Sequence, residues 1–167
     1  MQGGDLSIIT DARLLRALAW WRGLVPRSTL AASGAALPDR SLLDPAAIPD
    51  LLPHVTFWEQ LARGPDGRRQ FRCRLAGTAM VDIHGYEFSG RMMPDFHGPK
   101  NDQIQPEYEW VADQGRPHYV ERTLFWQNRD YVRYRRILLP FTHAASGRPQ
   151  TVAFILNVAH FLAAGED

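Results

Sequence analysis

Cys73, Asp82, His84, His118 and Glu121 are the side chains whose types would suit a catalytic or metal site. Asp82 and His84 pair a carboxylate with an imidazole two residues apart, and both groups ligate divalent metals. On a helix, however, a spacing of two faces the side chains apart, so this pair predicts a hydrogen-bonded or solvated His84 rather than a ligand. Asp82, Glu121, His84 and His118 together would suit proton transfer in a small cone-shaped α+β isomerase or cyclase. The single cysteine, Cys73, excludes an internal disulfide and any multi-cysteine metal site, and it fits a reducing compartment. No G-x-S-x-G elbow, G-x-x-x-x-G-K loop, G-x-G-x-x-G turn or H-E-x-x-H helix occurs, so the motif-borne chemistries are absent.

A different chemistry is suggested by residues 121–136, ERTLFWQNRDYVRYRR, where five arginines interleave with Phe125, Trp126, Tyr131 and Tyr134. A basic aromatic strand face can stack the bases of single-stranded nucleic acid. Against that reading, the formal net charge of the whole chain is only +1. An exposed strand also alternates arginine with aromatics simply to stay soluble and to pack across strands. The same patch would serve to dock a protein partner.

These residues need elements to hold them. With 167 residues, 45% of them hydrophobic, the chain is long enough for one core and short for two, so a single domain is expected. Neither a secretory leader nor an eighteen-residue apolar run is present, which predicts a cytoplasmic protein without membrane spans. Residues 11–22 predict a helix capped by Thr10 or Asp11, with Leu14, Leu15, Leu18 and Trp21 on one face and Gly23 and Pro26 ending it. Residues 24–41 carry no sustained period and read as a linker or excursion. Asp44 caps a short turn beginning at Pro45. Residues 55–61 and 69–75 predict two strands joined by a turn at GPDG, residues 64–67. In the second of these, Phe71, Cys73 and Leu75 alternate with Arg72 and Arg74, one buried face against one wet one. Gly77 ends that strand, Thr78 caps a short helix through Ala79, Met80, Val81 and Ile83, and Gly85 stops it. Residues 101–114 predict the longest later helix despite Pro106. Three further strands follow at residues 118–126, 131–142 and 150–161. The order implies an α+β fold, a five-stranded antiparallel sheet with helices over one face.

This order, with RLAGT at residues 74–78 and GYEFSGR at residues 85–91, resembles the PAS-domain family of short stand-alone bacterial proteins, of an alphaproteobacterial type. The likeness covers roughly residues 42–161. WRG at residues 21–23 and LPDRSLLDP at residues 37–45 resemble its lead-in. The resemblance divides the chain into an N-terminal amphipathic helix (1–23), a linker (24–41), a PAS-like domain (42–162) and a tail (163–167).

The resemblance also implies a function. A PAS-like sheet and its helices enclose a pocket, here expected to be bounded by Cys73, Met80, Val81, Met93, Phe96, Tyr108, Val111 and Asn157, the alternative being that the apolar ones are ordinary core and that Asn157 faces solvent. The N-terminal helix would pack against a second copy of the chain through Leu14, Leu18 and Trp21, giving a homodimer. The alternative is that this face covers the domain's own sheet. No cofactor is specified. Flavin photosensors of this fold carry their reactive cysteine in a helical GRNCR-like motif, whereas Cys73 lies on a strand. Haem-binding relatives use a histidine on the long helix, and residues 101–114 contain none. The expectation is a non-catalytic, cytoplasmic sensory domain acting through a small-molecule pocket, a protein partner that supplies the effector function, or dimerisation.

Overall fold

Asp11 starts the first helix. Its carboxylate accepts the Leu14 amide at 3.1 Å, which places α1 at Ala12–Leu24, two residues past the expected end. The computed structural model describes residues 5–25, 36–97, 101–126, 129–146 and 151–162. Pro26, most of the expected linker and the expected tail lie outside the described residues. One side of α1, Leu14, Ala17, Leu18 and Trp21, is buried, while Leu15 on the flank is 43% exposed. Single-turn helices follow at Arg40–Leu42, Pro45–Ala47 and Leu52–His54, the first two started by Asp39 and Asp44 accepting backbone amides.

β1 (Val55–Leu61) and β2 (Gln70–Ala76) form the expected antiparallel hairpin, closed at the GPDG turn by the Gly67 amide donating to the Gly64 carbonyl at 2.9 Å. On β2, Phe71 and Cys73 are fully buried, but Leu75 is 43% exposed. The alternation breaks there because the pairing with β1 shifts by one residue: Cys73 stands opposite Trp58 but Leu75 stands opposite Phe57, on the other face of the sheet, at its edge strand. The helix α2 (Thr78–His84) is capped at Gly77 with no side-chain bond, so Thr78 is its first residue and not its cap. Glycine is required there: a Cβ on residue 77 would collide with the Leu52 and Pro53 carbonyl oxygens. Gly85 ends α2 at φ +80°, the left-handed conformation that favours glycine.

Two further helices, α3 (Met93–His97) and α4 (Asn101–Gln114), precede β3 (His118–Trp126), β4 (Arg129–Phe141) and β5 (Phe154–Phe161). β5 begins four residues later than expected. The sheet is antiparallel throughout, in the order β2-β1-β5-β4-β3, so the last strand in sequence is central in space.

Period-two alternation gives this sheet two buried faces, not one. Trp58, Phe71, Leu138, Ile155 and Ala159 pack under α2, α3 and α4. Val55, Ile137, Leu139, Phe154, Leu156 and Val158 pack under α1 and the single-turn helices. Leu14, Leu18 and Trp21 belong to this second cluster, at 0%, 3% and 6% exposure. They do not form a free seam for a second copy. Of the two readings of the α1 face, the structure has the one in which it covers the domain's own sheet. An apolar stripe on a short helix has one partner at a time, and the exposed sheet face beside it is the larger surface to cover. Among the described residues no helix is long and apolar enough to cross a membrane.

Candidate functional site

The cavity lies between the sheet and α2–α4. β1 contributes Thr56 and Trp58, β4 Tyr134 and Arg136, and β5 Asn157, Ala159 and Phe161. Met80, Ile83 and His84 from α2, His97 from α3, and Ile104 and Tyr108 from α4 complete the wall. It offers about 40 Å³ to the centres of water-sized atoms.

Register explains why space exists at this place. Arg136 stands directly opposite Ala159, and Tyr134 opposite Phe161. On the β5 side of Arg136 only the methyl group of Ala159 covers the sheet, so the floor of the cavity there is a missing side chain. Asn157, two residues along β5, is the diagonal neighbour of Arg136. Its amide donates to Thr56 Oγ1 at 3.0 Å, which also accepts from Trp58 Nε1 at 2.9 Å.

Arg136 is 4% exposed and its charge is met by Glu107 on α4, which is 0% exposed. Glu107 also accepts from Arg122 Nε on β3 at 2.7 Å. One buried carboxylate is thus shared between two guanidiniums, leaving the cluster with an excess of one positive charge. The Arg136 guanidinium also lies 5.4 Å and 5.6 Å from the Tyr108 and Tyr134 ring centres. Three polar atoms of cavity-lining residues have no partner among the described residues: Asn157 Oδ1, Tyr134 Oη and Arg136 Nε. Burial pushes the Tyr134 phenol above its ordinary value, so it remains a protonated donor at neutral pH.

Of the eight pocket residues expected from the resemblance, Met80, Tyr108 and Asn157 line the cavity. Cys73, Met93 and Val111 are buried in the surrounding core without lining it, and Val81 is half-buried against that core. The Phe96 side chain lies outside the described residues. His84 is buried and its Nδ1 meets the Met80 carbonyl at 2.6 Å, a hydrogen-bonded histidine on the cavity wall.

The acid and base candidates are not gathered. Asp82 is exposed, His118 is buried beside the Trp110 ring, and Glu121 lies on the opposite face of β3, paired with Arg133 at 2.8 Å and Arg135 at 3.1 Å. Burial pushes His118 below its ordinary value. The nucleic-acid patch is likewise divided: Arg122 and Arg136 face Glu107, and Arg133 and Arg135 face Glu121. Among the described residues no group of three His, Cys, Asp or Glu side chains could hold a metal.

As shaped here, the cavity is smaller than a flavin or a haem. Its volume admits about three waters, and no cysteine lines it. Cys73 is fully buried, burial pushes its thiol up to about 12, and its Sγ lies 3.3 Å from the Leu75 carbonyl. Cys73 is therefore expected to be inert to a disulfide reagent at about pH 8 in the folded chain and to react at once in denaturant. Prompt release of the reagent's chromophore from native protein would show the thiol to be accessible.

Five antiparallel strands in this order, curled beneath short helices around an inner cavity, define a PAS-type fold. A family model described as a PAS domain matches residues 16–156, from within α1 to within β5. The chain belongs to the PAS domain family, a class of typically sensory modules. No curated protein matches it. Similar solved structures include a light-oxygen-voltage domain studied with a flavin analogue, at 12% identity and TM-score 0.50 over 71% of this chain and 83% of that one. A fungal LOV domain photoreceptor aligns at 16% identity and TM-score 0.48 over 95% of each chain. The PAS domain of the histidine kinase ThkA aligns at 18% identity and TM-score 0.42 over 63% of this chain and 97% of that one. At these identities the likeness is one of fold.

Proposed function

We propose that this chain is a cytoplasmic sensory domain whose cavity binds a small molecule and whose response leaves through α1 to a protein partner or a second copy of the chain. The observation that carries the reading is that Asn157, Tyr134 and Arg136 keep unpartnered polar atoms while lining one cavity. A buried donor or acceptor left unpaired costs about 1–3 kcal/mol, and three around one space mark a place where a guest's hydrogen bonds would be rewarded.

The route outward is short. Along β5, Asn157, Ala159 and Phe161 face the cavity, while Leu156, Val158 and His160 face α1. His160 pairs with Asp11, the cap of α1, and Trp21 Nε1 donates to the Pro140 carbonyl on β4 at 2.8 Å. Both ends of α1 are thus fastened to the two strands that form the cavity floor. A guest that shifts β4 or β5 acts on both fastenings.

The test is methyl NMR of the whole chain against a library of small polar compounds. Hits are expected to move the Met80, Ile83 and Ile104 methyl signals and to change the hydrogen-exchange protection of α1. Hits that move those methyls and leave α1 unchanged would refute the route; a library without any such hit would refute the cavity.

A further inference from the structure

The lining of the cavity restricts what its guest can be, and this inference rests on the proposal that the cavity is the ligand site. Two of its donors, Tyr134 Oη and Arg136 Nε, have no partner among the described residues and come from residues two apart on one face of β4. They adjoin a buried charge cluster in which Glu107 is outnumbered by Arg136 and Arg122. Arginine does not deprotonate in proteins, so that excess charge persists at any physiological pH. An anion seated there would meet a fixed charge in a site of low polarity. An acceptor without a partner among the described residues, Asn157 Oδ1, lies diagonally across the gap over Ala159. The rest of the wall is mixed: Met80, Ile83 and Ile104 are apolar, and Thr56, His84 and His97 carry polar atoms.

We infer that the cavity takes a small monocarboxylate carrying one hydrogen-bond donor, its carboxylate held by Tyr134 and Arg136 and its donor by Asn157. Size agrees with chemistry. Room for about three waters corresponds to roughly 90 Å³ of liquid, the envelope of about half a dozen heavy atoms, which a short hydroxy acid fills and a dicarboxylate with a longer chain exceeds. Charge disfavours a second carboxylate, because the cluster has only one excess positive charge to offer.

The experiment titrates L-lactate, propionate and lactamide into the full chain while following the Met80, Ile83 and Ile104 methyls. L-Lactate is expected to bind with saturable shifts. Lactamide, which keeps shape and hydroxyl but loses the charge, is expected to bind at least about tenfold more weakly, the worth of one charge-assisted hydrogen bond. Propionate, lacking the hydroxyl, should fall between them. Tyr134→Phe keeps the ring and removes one donor, and it should weaken L-lactate about tenfold. Ala159→Val keeps every polar atom and fills the floor, and it should abolish binding; this second variant decides the matter if Tyr134→Phe does not fold.

Lactamide binding as tightly as L-lactate, or Tyr134→Phe binding L-lactate normally, overturns the carboxylate assignment and leaves the cavity as a ligand site. L-Lactate failing to move these methyls while other small compounds move them has the same meaning. Silence from every compound removes the cavity proposal as well.

Discussion

Glu107→Ala is expected to destabilise the domain by about 3–5 kcal/mol, read as a lowered midpoint in urea or thermal unfolding. The magnitude follows from burial, not from the count of ion pairs. An exposed pair is worth about 1 kcal/mol or less, because water solvates both members when the pair is broken. Arg122, whose side chain is 37% exposed, can turn outward in the variant. Arg136 cannot: its side chain is 5% exposed, between the Tyr108 and Tyr134 rings on the underside of α4, and it would be left as an uncompensated buried charge. The same reasoning predicts recovery. Glu107→Met combined with Arg136→Met removes both charges and replaces them with adaptable apolar chains, so the double variant should regain most of the loss. A single-variant cost near that of a surface pair, or a double variant as unstable as the single one, would contradict the role given to this pair. The carboxylate binding proposed for the cavity should vanish in the double variant even where stability returns, since Arg136 would be its anchor.

The elements were largely legible and the site was not, for reasons that differ residue by residue. Asp11, Asp44, the GPDG turn and Gly85 carry local backbone requirements, and each appears where the sequence puts it. The period-two strands gave the five-stranded sheet. Met80, Tyr108 and Asn157, which the resemblance named, lie on the cavity wall, and an apolar helix face or an amide inside an apolar strand signals such burial. Arg136 was missed because the Arg/aromatic run on β4 reads as a wet face. Two signals pointed the other way. The run ILLPF that follows Arg136 is apolar on both parities, the mark of a strand covered on both sides. Glu107 lies three residues after Ile104 and four before Val111, on the apolar side of α4, where an acid needs a buried cation. Reading those two together would have paired them. The exposure of Leu75 and the emptiness over Ala159 had no local signal, since both depend on which strand is an edge and which residues stand opposite in register.

Trp21→Ala is expected to cost about 3–5 kcal/mol in global stability and to raise hydrogen exchange along α1 before the sheet opens. Trp21 is 6% exposed in the cluster beneath the sheet, and its indole N–H supplies a hydrogen bond to the Pro140 carbonyl. Truncation removes both the packing and that bond, and it leaves the Pro140 carbonyl without this donor. Trp21→Phe removes the bond but keeps most of the packing, so the cost should fall to about 1–2 kcal/mol. The other end of α1 should respond to acid. Burial alone would raise the Asp11 carboxyl, but hydrogen bonds from His160 and the Leu14 amide outweigh it and hold it below its ordinary value. The Asp11 tether is therefore at full strength above the ordinary carboxylate value and is lost as pH falls through the lowered one, so protection of the first turn of α1 should decline there while β4 and β5 remain protected. If α1 stays as protected in Trp21→Ala as in the parent chain, the helix is held by Leu14, Ala17 and Leu18 alone, and β4 has no grip on it through which to send a signal.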